Sequence, residues 1–288
     1  MIDFSVIIPH YNIPDCLERL IDSIPARDNF EIIVVDDKSD KNLEQLALLK
    51  EKYKGTNCSF YDNDTEHKGA GVCRNIGVSR AKGKWLLFAD SDDFFTKDMY
   101  DTVCDCVNRE EDIIFFFPTS INLDTGLESD RHIEFCNALS KYVSKPDESN
   151  ELILRYQVVS PWSKMIRRSM VVDNHIEFEG TRVANDVLFC RKIGHHAKSI
   201  AVDERVIYTV TQRQGSLTTF IGKDAYMTRL GVFIRSTNYV RGVVDKATWK
   251  KMRVNGSYFL HMCRANKLGV TVVLQTVVML IKNGISPV

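Results

Sequence analysis

The chain has 288 residues, of which 44% are apolar and 26% are charged, and this composition excludes a disordered or fibrous protein. Its 38 basic and 38 acidic side chains cancel, so the net charge alone favours neither a nucleic acid nor a membrane as partner. The charge is unevenly distributed, because residues 220–288 carry eleven Lys or Arg and only two Asp or Glu. This asymmetry predicts an anionic partner for the basic region.

The eight cysteines are scattered and form no Cys-x-x-Cys pair, which argues against a zinc site and favours reduced thiols. Residues 1–12 do not have the pattern of a secretory signal. The longest late apolar stretch, residues 268–281, is too short and too mixed to span a bilayer. We therefore expect a cytoplasmic protein.

The first 120 residues alternate short apolar runs with amphipathic helical segments. Strands are predicted over residues 4–8, 31–35, 84–89 and 113–117, and the last helix before the third strand is predicted near residues 70–81. Because the strands are apolar throughout, both faces of their sheet must be covered. The pattern predicts an α/β fold with a mostly parallel sheet.

Polar residues follow three of these strands directly, in the segments Pro9-His-Tyr-Asn12, Asp36-Asp-Lys-Ser39 and Asp90-Ser-Asp-Asp93. In an open α/β sheet, ligands bind beyond the carboxyl ends of the strands. Either acidic cluster alone could be a solvated loop, but two at one edge repel each other unless a cation compensates. Carboxylates two positions apart, separated by a small serine, suit Mg²⁺ or Mn²⁺ together with substrate phosphates.

These strand ends predict a nucleoside diphosphate as ligand. Tyr11 can stack on a base, and Asp37 can accept a hydrogen bond from a base N–H. The chain has no Gly-x-Gly-x-x-Gly after the first strand and no phosphate-binding Gly-x-x-x-x-Gly-Lys-[Ser/Thr], which argues against dehydrogenases and P-loop enzymes.

At this point the sequence resembles the family 2 glycosyltransferases, which have the GT-A fold, over residues 4–219. The resemblance lies in ordered segments: Ser5-Val-Ile-Ile-Pro-His-Tyr-Asn12, Val34-Val-Asp-Asp-Lys-Ser-Asp40, Arg74-Asn-Ile-Gly77, Ala81-Lys-Gly83, Phe88-Ala-Asp-Ser-Asp-Asp93, Pro161-Trp-Ser-Lys164, Phe178-Glu-Gly180 and Asn185-Asp186. Three positions depart from the family pattern. His10 replaces a small or aliphatic residue, Lys38 stands where Gly is frequent, and Asn185 replaces the usual Glu.

The resemblance implies a role for each matching position. Donor binding falls to Pro9, Tyr11, Asp37, Arg74, Asp90, Ser91 and Arg213, acceptor binding to Trp162 and Lys164, metal binding to Asp92 and Asp90, and base catalysis to Asp186. Alternatives stay open at three positions. Arg74 could instead pair with a strand-end Asp, Trp162 could belong to the core, and Asp186 could also start a helix.

The resemblance further implies an inverting, Mg²⁺- or Mn²⁺-dependent transfer of one sugar from a nucleoside-diphosphate sugar, with UDP favoured. The acceptor is expected to be a glycan or a lipid-linked saccharide in bacterial cell-surface polysaccharide synthesis. No Gln-x-x-Arg-Trp follows, which argues against a processive synthase. A non-catalytic sugar-nucleotide-binding module is the alternative, and a sugar nucleotidyltransferase is less favoured because no glycine-rich loop follows the first strand.

We divide the chain into a nucleotide-sugar-binding half (residues 1–118), an acceptor-binding half (119–219) and a basic helical region (220–288). Val270, Val273, Leu274, Val277, Val278 and Ile281 recur at helical spacing and form an apolar face wide enough to bury. This face could pack on the rest of the protein, or the basic region could attach it peripherally to an anionic membrane. Nothing resembles a base-reading motif, so no nucleic acid is expected.

Overall fold

The computed structural model describes residues 2–212 and 222–288. In these residues the strands are β1 (Phe4–His10), β2 (Phe30–Asp36), β3 (Cys58–Asp62), β4 (Trp85–Phe88), β5 (Phe94–Phe95), β6 (Ile113–Asn122), β7 (Lys164–Arg167) and β8 (Ile200–Gln212). The helices are α1 (Pro14–Asp22), α2 (Leu43–Lys52), α3 (Ala70–Arg80), α4 (Met99–Asp105), α5 (Ile133–Ser144), α6 (Glu148–Tyr156), α7 (Arg168–Asp173), α8 (Val187–His196), α9 (Lys223–Val243), α10 (Lys246–Met252), α11 (Ser257–Ala265) and α12 (Val270–Lys282).

All of these strands form one sheet in the order β3-β2-β1-β4-β7-β6-β8-β5. Strands β1, β2, β3 and β4 are parallel, and so are β6 and β8. Strand β7 runs antiparallel to both β4 and β6, and β5 runs antiparallel to β8. The sheet is therefore mostly parallel, as predicted, with antiparallel insertions that local patterns do not encode.

Each face of the sheet carries its own apolar layer, and this explains the uninterrupted apolar strands. In β1, Phe4, Val6 and Ile8 face the layer that contains α1, whereas Ile7 faces the layer that contains α3 and α8. Both layers are well packed, so the carboxyl ends of β1, β2 and β4 are held at one edge of the sheet.

The carboxy-terminal helices have a separate core. Tyr226 and Leu230 of α9 pack with Phe259 of α11 and with Val272 and Leu280 of α12. Within the described residues, no helix combines the length and apolarity needed to cross a bilayer.

The apolar face predicted for the last helix is largely exposed, so most of it does not pack on the described protein. Val270, Leu274 and Ile281 are 75%, 61% and 60% exposed, while Val272, Thr276 and Leu280 are buried instead. Thr276 is accommodated because its hydroxyl donates to the Val272 carbonyl at 2.8 Å and shares a 2.7 Å hydrogen bond with Tyr226. The helix is apolar around most of its circumference, so periodicity could not identify the packed side.

Candidate active site

The ends of β1 and β2 are joined by a buried imidazole. His10 Nδ1 lies 2.8 Å from Asp36 Oδ1, and the Ile13 amide donates to His10 Nε2 at 3.2 Å. Because an amide can only donate, Nε2 accepts and the proton lies on Nδ1, which makes the imidazole neutral. Burial alone would raise the pKa of Asp36, but hydrogen bonds from His10 and Ser39 outweigh it and lower that pKa. His10 thereby fastens the end of β1 to the end of β2.

Two loops at this edge are locked together by Asn12. Its Oδ1 accepts from the amides of Asp40 and Lys41, and its Nδ2 donates to Asp40 Oδ1 at 2.7 Å. The neighbouring Tyr11 donates to the same carboxylate at 3.2 Å, and its side chain is 45% exposed. Lys68 Nζ lies 5.1 Å from the ring centroid. Tyr11 is thus a fixed and accessible ring, as stacking on a base requires.

Asp37 is held from both sides. Its Oδ1 accepts from Asn63 Nδ2 at 2.7 Å, and its Oδ2 accepts from the Gly69 amide at 2.8 Å. Each carboxylate oxygen can accept a further hydrogen bond, so Asp37 can still bind a base N–H. Pro9 is buried and in register with Val35, so it shapes this edge through the backbone.

The Asp90-Ser-Asp-Asp93 loop is held by β8. The Asp90 amide donates to the Tyr208 hydroxyl at 2.9 Å, and that hydroxyl donates to Asp93 Oδ2 at 2.9 Å. The Thr211 amide donates to Asp93 Oδ1 at 2.7 Å, and the Thr211 hydroxyl donates to the Asp92 carbonyl at 2.7 Å. Ser91 and Asp93 are buried, whereas Asp90 and Asp92 are half-buried.

Arg74 connects this loop to the segment before α8. Its Nη2 donates to Asp90 Oδ1 at 2.5 Å, and its Nη1 donates to Asn185 Oδ1 at 2.8 Å. The side chain is buried over the Phe178 ring. Of the two alternatives for Arg74, the structure shows the ion pair with a strand-end Asp, and Asn185 supplies the second acceptor at the position where the family has Glu.

Helix α3 approaches this segment because it begins with small residues. A Cβ on Gly71 would lie 2.3 Å from the Glu179 carbonyl oxygen, so glycine is required for the contact. Asn75 then donates to the Phe178 carbonyl at 3.0 Å and accepts from the Phe178 amide at 2.8 Å. The sequence Arg74-Asn-Ile-Gly77 is therefore a clamp that joins α3 to the residues before α8.

Asp186 lies at the N-cap position of α8, but its side chain makes no cap hydrogen bond to the described amides of the first turn. Burial raises the pKa of Asp186, Arg74 opposes that rise, and Asp90 adds to it. A carboxylate with a raised pKa is a better proton acceptor near neutral pH than an ordinary one. The helix-start and base interpretations are thus compatible in position, and the side chain is not used for capping.

The carboxylates of this loop lie close enough to affect one another. The pKa of Asp93 is raised well above its ordinary value by burial and by the neighbouring Asp90 and Asp92. No group of three or more His, Cys, Asp or Glu in the described residues is arranged to hold a metal alone. Two carboxylates that repel each other nevertheless fit a hard divalent cation whose remaining ligands are phosphate oxygens and water.

Trp162 lies close to this site. Its ring stacks on Phe135 at 4.9 Å and on Tyr208 at 5.8 Å between centroids, and it lines a cavity of about 460 Å³. Trp162 is therefore partly core and partly cavity wall.

Lys164 is only 2% exposed, and its amine donates to the Val158 carbonyl at 2.9 Å. Burial lowers the pKa of Lys164, and the ammonium lies 4.8 Å from the Phe115 ring centroid. Acceptor binding by Lys164 stays a prediction, and these contacts do not favour it. Arg213, which is predicted to bind the donor, lies outside the described residues.

The sequence did not single out Tyr208 or Asn63. Asn63 directly follows β3, so a correct assignment of that strand would have placed it at the binding edge by the strand-end rule. Nothing in the sequence marked Tyr208 as a site residue, because tyrosines are common within apolar strands.

The chain is similar in sequence to known proteins. The model of the family described as "Glycosyl transferase family 2" matches residues 5–173. The poly(ribitol-phosphate) beta-N-acetylglucosaminyltransferase TarS of Staphylococcus aureus is 28% identical over 225 residues, which are 75% of this chain and 36% of TarS. A poly(ribitol-phosphate) beta-glucosyltransferase of Bacillus spizizenii is 39% identical over 95 residues, which cover 31% of this chain and 15% of that protein.

Solved structures share the fold. A TarS fragment, residues 1–349, in complex with UDP-GlcNAc has a TM-score of 0.67 at 23% identity and covers 88% of this chain and 71% of that one. The mannosyltransferase PcManGT of Pyrobaculum calidifontis, in complex with GDP-Man and Mn²⁺, has a TM-score of 0.61 at 14% identity, covering 97% and 75%. The chain spans about a third of the length of the TarS relatives. Since the family model covers more than half of the residues, this chain belongs to glycosyltransferase family 2.

Proposed function

We propose that the protein transfers a single sugar, with inversion, from a UDP-sugar to a hydroxyl of a glycan or lipid-linked saccharide. One observation carries the proposal: Arg74 joins the Asp90-Ser-Asp-Asp93 loop to Asn185, the residue before the candidate base Asp186. In this proposal the diphosphate site and the candidate base lie on either side of that buried guanidinium.

Donor recognition falls to the edge formed by β1 and β2. Tyr11 stacks on the base, and Asp37, fixed by Asn63 and Gly69, accepts from a base N–H. Support for UDP comes from the TarS fragment, which was solved with UDP-GlcNAc. The sugar is expected to be a hexose or an N-acetylhexosamine.

Asp92, with Asp90, would hold a Mg²⁺ or Mn²⁺ ion, which when bound supplies Lewis-acid stabilisation of the departing diphosphate. Support comes from the mutual repulsion of the loop carboxylates and from the Mn²⁺ bound to PcManGT. Arg74 orients Asp90 by occupying its Oδ1, so that Oδ2 can face the ligand.

Asp186 takes the proton of the acceptor hydroxyl as the oxygen attacks the anomeric carbon from the face opposite the diphosphate. A positioned base typically contributes about 10²- to 10⁴-fold to the rate. The carbon–oxygen bond to the acceptor forms while the bond to the diphosphate breaks, and this single displacement inverts the anomeric centre.

We propose that the acceptor binds in the cavity of about 460 Å³ beside Trp162. Aromatic faces such as that of Trp162 suit sugar rings, and Arg131, Asn137 and Gln157 offer hydrogen bonds from the same wall. The named relatives act on poly(ribitol-phosphate), which is consistent with a cell-surface glycan as acceptor.

We further propose that the basic region attaches to an anionic membrane from the cytoplasmic side, through the exposed face of α12. The exposed side chains Val270, Leu274 and Ile281 lie along one side of that helix, between Lys267 and Lys282 at its ends. Basic residues near an anionic surface contribute about 1 kcal/mol each. All eight cysteines lie in the described residues and none is in a disulfide, as a reducing compartment requires.

The transfer is tested with a panel of sugar nucleotides, by measuring release of nucleoside diphosphate and by mass spectrometry of candidate acceptors. Metal-dependent release of UDP with a product of inverted linkage is expected. Donor binding without release from any sugar nucleotide would favour a non-catalytic binding module instead. Formation of pyrophosphate from a sugar phosphate and a nucleoside triphosphate would indicate a nucleotidyltransferase.

Membrane attachment is tested by flotation with anionic and neutral liposomes at low and high salt. Leu274→Ser combined with Ile281→Ser should reduce binding to anionic liposomes, whereas Leu48→Ser, an equally exposed position on α2, should not. Equal binding of the wild type to neutral and anionic liposomes would contradict the electrostatic part of the proposal.

A further inference from the structure

A second cavity, of about 280 Å³, lies between α6, α8, α9 and α10. Arg191 of α8 and Arg253, which follows α10, both line it, together with the amide side chains Gln157 and Asn255 and the ring of Trp249. No Asp or Glu is among its lining residues in the described part of the chain. The cavity is thus positively charged and rich in hydrogen-bond donors.

Arg191 has no carboxylate partner among the residues that the structure describes. Its Nε donates to the Tyr156 carbonyl at 3.2 Å, and its Nη1 donates to the hydroxyls of Ser236 at 2.8 Å and Thr237 at 3.1 Å. These bonds fix the guanidinium and leave Nη2 without a described protein acceptor. Burial lowers the pKa of Arg191 to about 10, so the group is still cationic at neutral pH. A desolvated cation with no counter-ion is unfavourable, and a bound anion would offset that cost.

The chemistry and size of the cavity indicate which kind of anion it could bind. A guanidinium is planar and presents parallel N–H donors, which match the oxygens of a phosphate group. A volume of about 280 Å³ is small for a ligand site, since such cavities typically measure about 300–1,000 Å³, so a whole nucleotide is too large. We propose that this cavity is a phosphate-binding site, in which Arg191 and Arg253 hold the oxyanion and Gln157 or Asn255 donates to it.

The site is a neighbour of the proposed acceptor cavity. Gln157 lines both cavities, and Asp186 directly precedes α8, the helix that contains Arg191. Five positions on a helix correspond to about 7.5 Å along its axis. The phosphate therefore belongs either to a phosphodiester within the acceptor or to a free phosphomonoester. Only the assignment to the acceptor rests on the proposed function, because phosphate binding itself requires no sugar transfer.

The test is a titration of the full chain with inorganic phosphate, in which binding is measured by calorimetry and by the change in melting temperature. Sodium chloride at the same ionic strength is the control. Saturable binding and a rise in melting temperature are expected. Arg191→Gln should weaken phosphate binding about tenfold or more, in line with the loss of a charged hydrogen-bond donor. Arg253→Gln, at an exposed position that carries no described hydrogen bond, should weaken it without affecting the fold. Lys246→Gln removes an equivalent exposed charge from α10 outside the cavity and should have no effect.

Two further experiments distinguish the possible sources of the phosphate group and exclude binding at the donor site. Glycerol phosphate probes a monoester and dimethyl phosphate probes a diester. Binding of both supports a site for a phosphodiester acceptor, binding of the monoester alone supports a free phosphomonoester, and binding of neither overturns the proposal. Repeating the titration with saturating UDP excludes the donor site. The proposed phosphate site would also be overturned if UDP displaced the bound phosphate and both arginine variants still bound phosphate. This outcome would hold even if sugar transfer were confirmed.

Discussion

The two halves of the candidate active site treat their carboxylates in opposite ways. At the nucleoside edge, hydrogen bonds from within the chain lower the pKa of Asp36 and of Asp40. At the catalytic edge, burial and neighbouring carboxylates raise the pKa of Asp93 and of Asp186. The first half is a satisfied network that fixes a shape, whereas the second crowds its carboxylates so that further negative charge is disfavoured there. We expect substitutions in the two halves to separate binding from turnover.

The largest effect should come from Asp92. Asp92→Asn replaces a charged oxygen ligand by a neutral amide, which is a poor ligand for Mg²⁺ or Mn²⁺, so sugar transfer should fall to background. Transfer is measured as UDP release with a saturating metal concentration, and unfolding is followed by circular dichroism.

Chelation should reproduce this loss in the wild type, and added Mn²⁺ should restore the wild type but not the variant. Asp101→Asn, an exposed acidic position on α4 outside the loop, is the matched control and should keep full activity. Full transfer by Asp92→Asn, or by the wild type in chelator, would show that the catalytic edge does not need a metal.

The next largest effect should come from Asp186. Asp186→Asn removes the proton acceptor while leaving the clamp between Arg74 and Asn185 in place, so kcat should fall at least about 10²-fold with little change in KM for the donor. Steady-state kinetics with varied donor measure both parameters. Asp173→Asn, an exposed carboxylate on α7, is the control. A change confined to KM would place Asp186 in donor binding.

The pH profile of the wild type sharpens this assignment. A base acts when it is deprotonated, so kcat/KM should rise with pH through the pKa of Asp186 and then level off. Because that pKa is raised, the midpoint should lie above the ordinary aspartate value of about 3.9. The residual activity of Asp186→Asn should lack this acidic limb, and an unchanged limb in the variant would assign it to another group.

At the nucleoside edge the effect should be on affinity alone. Asp37→Ala removes the acceptor for the base and also leaves Asn63 and the Gly69 amide without their partner, so KM for the donor should rise about 10- to 100-fold, as expected for hydrogen bonds to a charged group. Calorimetric titration with UDP measures this directly. Asp62→Ala, an exposed neighbour on β3, should bind UDP normally. A fall in kcat with unchanged UDP affinity would reverse the roles of the two halves.

Much of this comparison could be predicted from the sequence, because it depends on local patterns. The apolar strands before Pro9, Asp36 and Asp90, together with the strand-end rule, placed both acidic clusters at one edge. Strand β3 was missed because it has few apolar residues and lies at the edge of the sheet, where only one side is paired.

What could not be predicted depends on contacts between distant segments. The partner of Arg74 lies 111 positions away in Asn185, and the partner of the Asp90 amide lies 118 positions away in Tyr208. Contacts between residues so far apart along the chain produce no periodic pattern in the sequence. Residues 270–281 show the opposite limitation, because a helix that is apolar around most of its surface fits more than one packed face, and the structure buried Val272 and Leu280 rather than the predicted stripe.

The smallest effect concerns Tyr208, whose hydroxyl links Asp90 to Asp93 within the catalytic edge. Tyr208→Phe leaves a buried amide and a buried carboxylate with one partner fewer, so the free energy of unfolding should fall by about 1–3 kcal/mol. Tyr226→Phe is a matched control, because that buried hydroxyl also has two partners, Phe259 and Thr276, but in the separate carboxy-terminal core. Both variants should lose similar stability in chemical denaturation. Only Tyr208→Phe should also lower kcat, by about fivefold if roughly 1 kcal/mol of loop positioning is lost, with UDP affinity unchanged. Equal kcat values for the two variants would mean that Tyr208 supports the fold without positioning the Asp90-Ser-Asp-Asp93 loop.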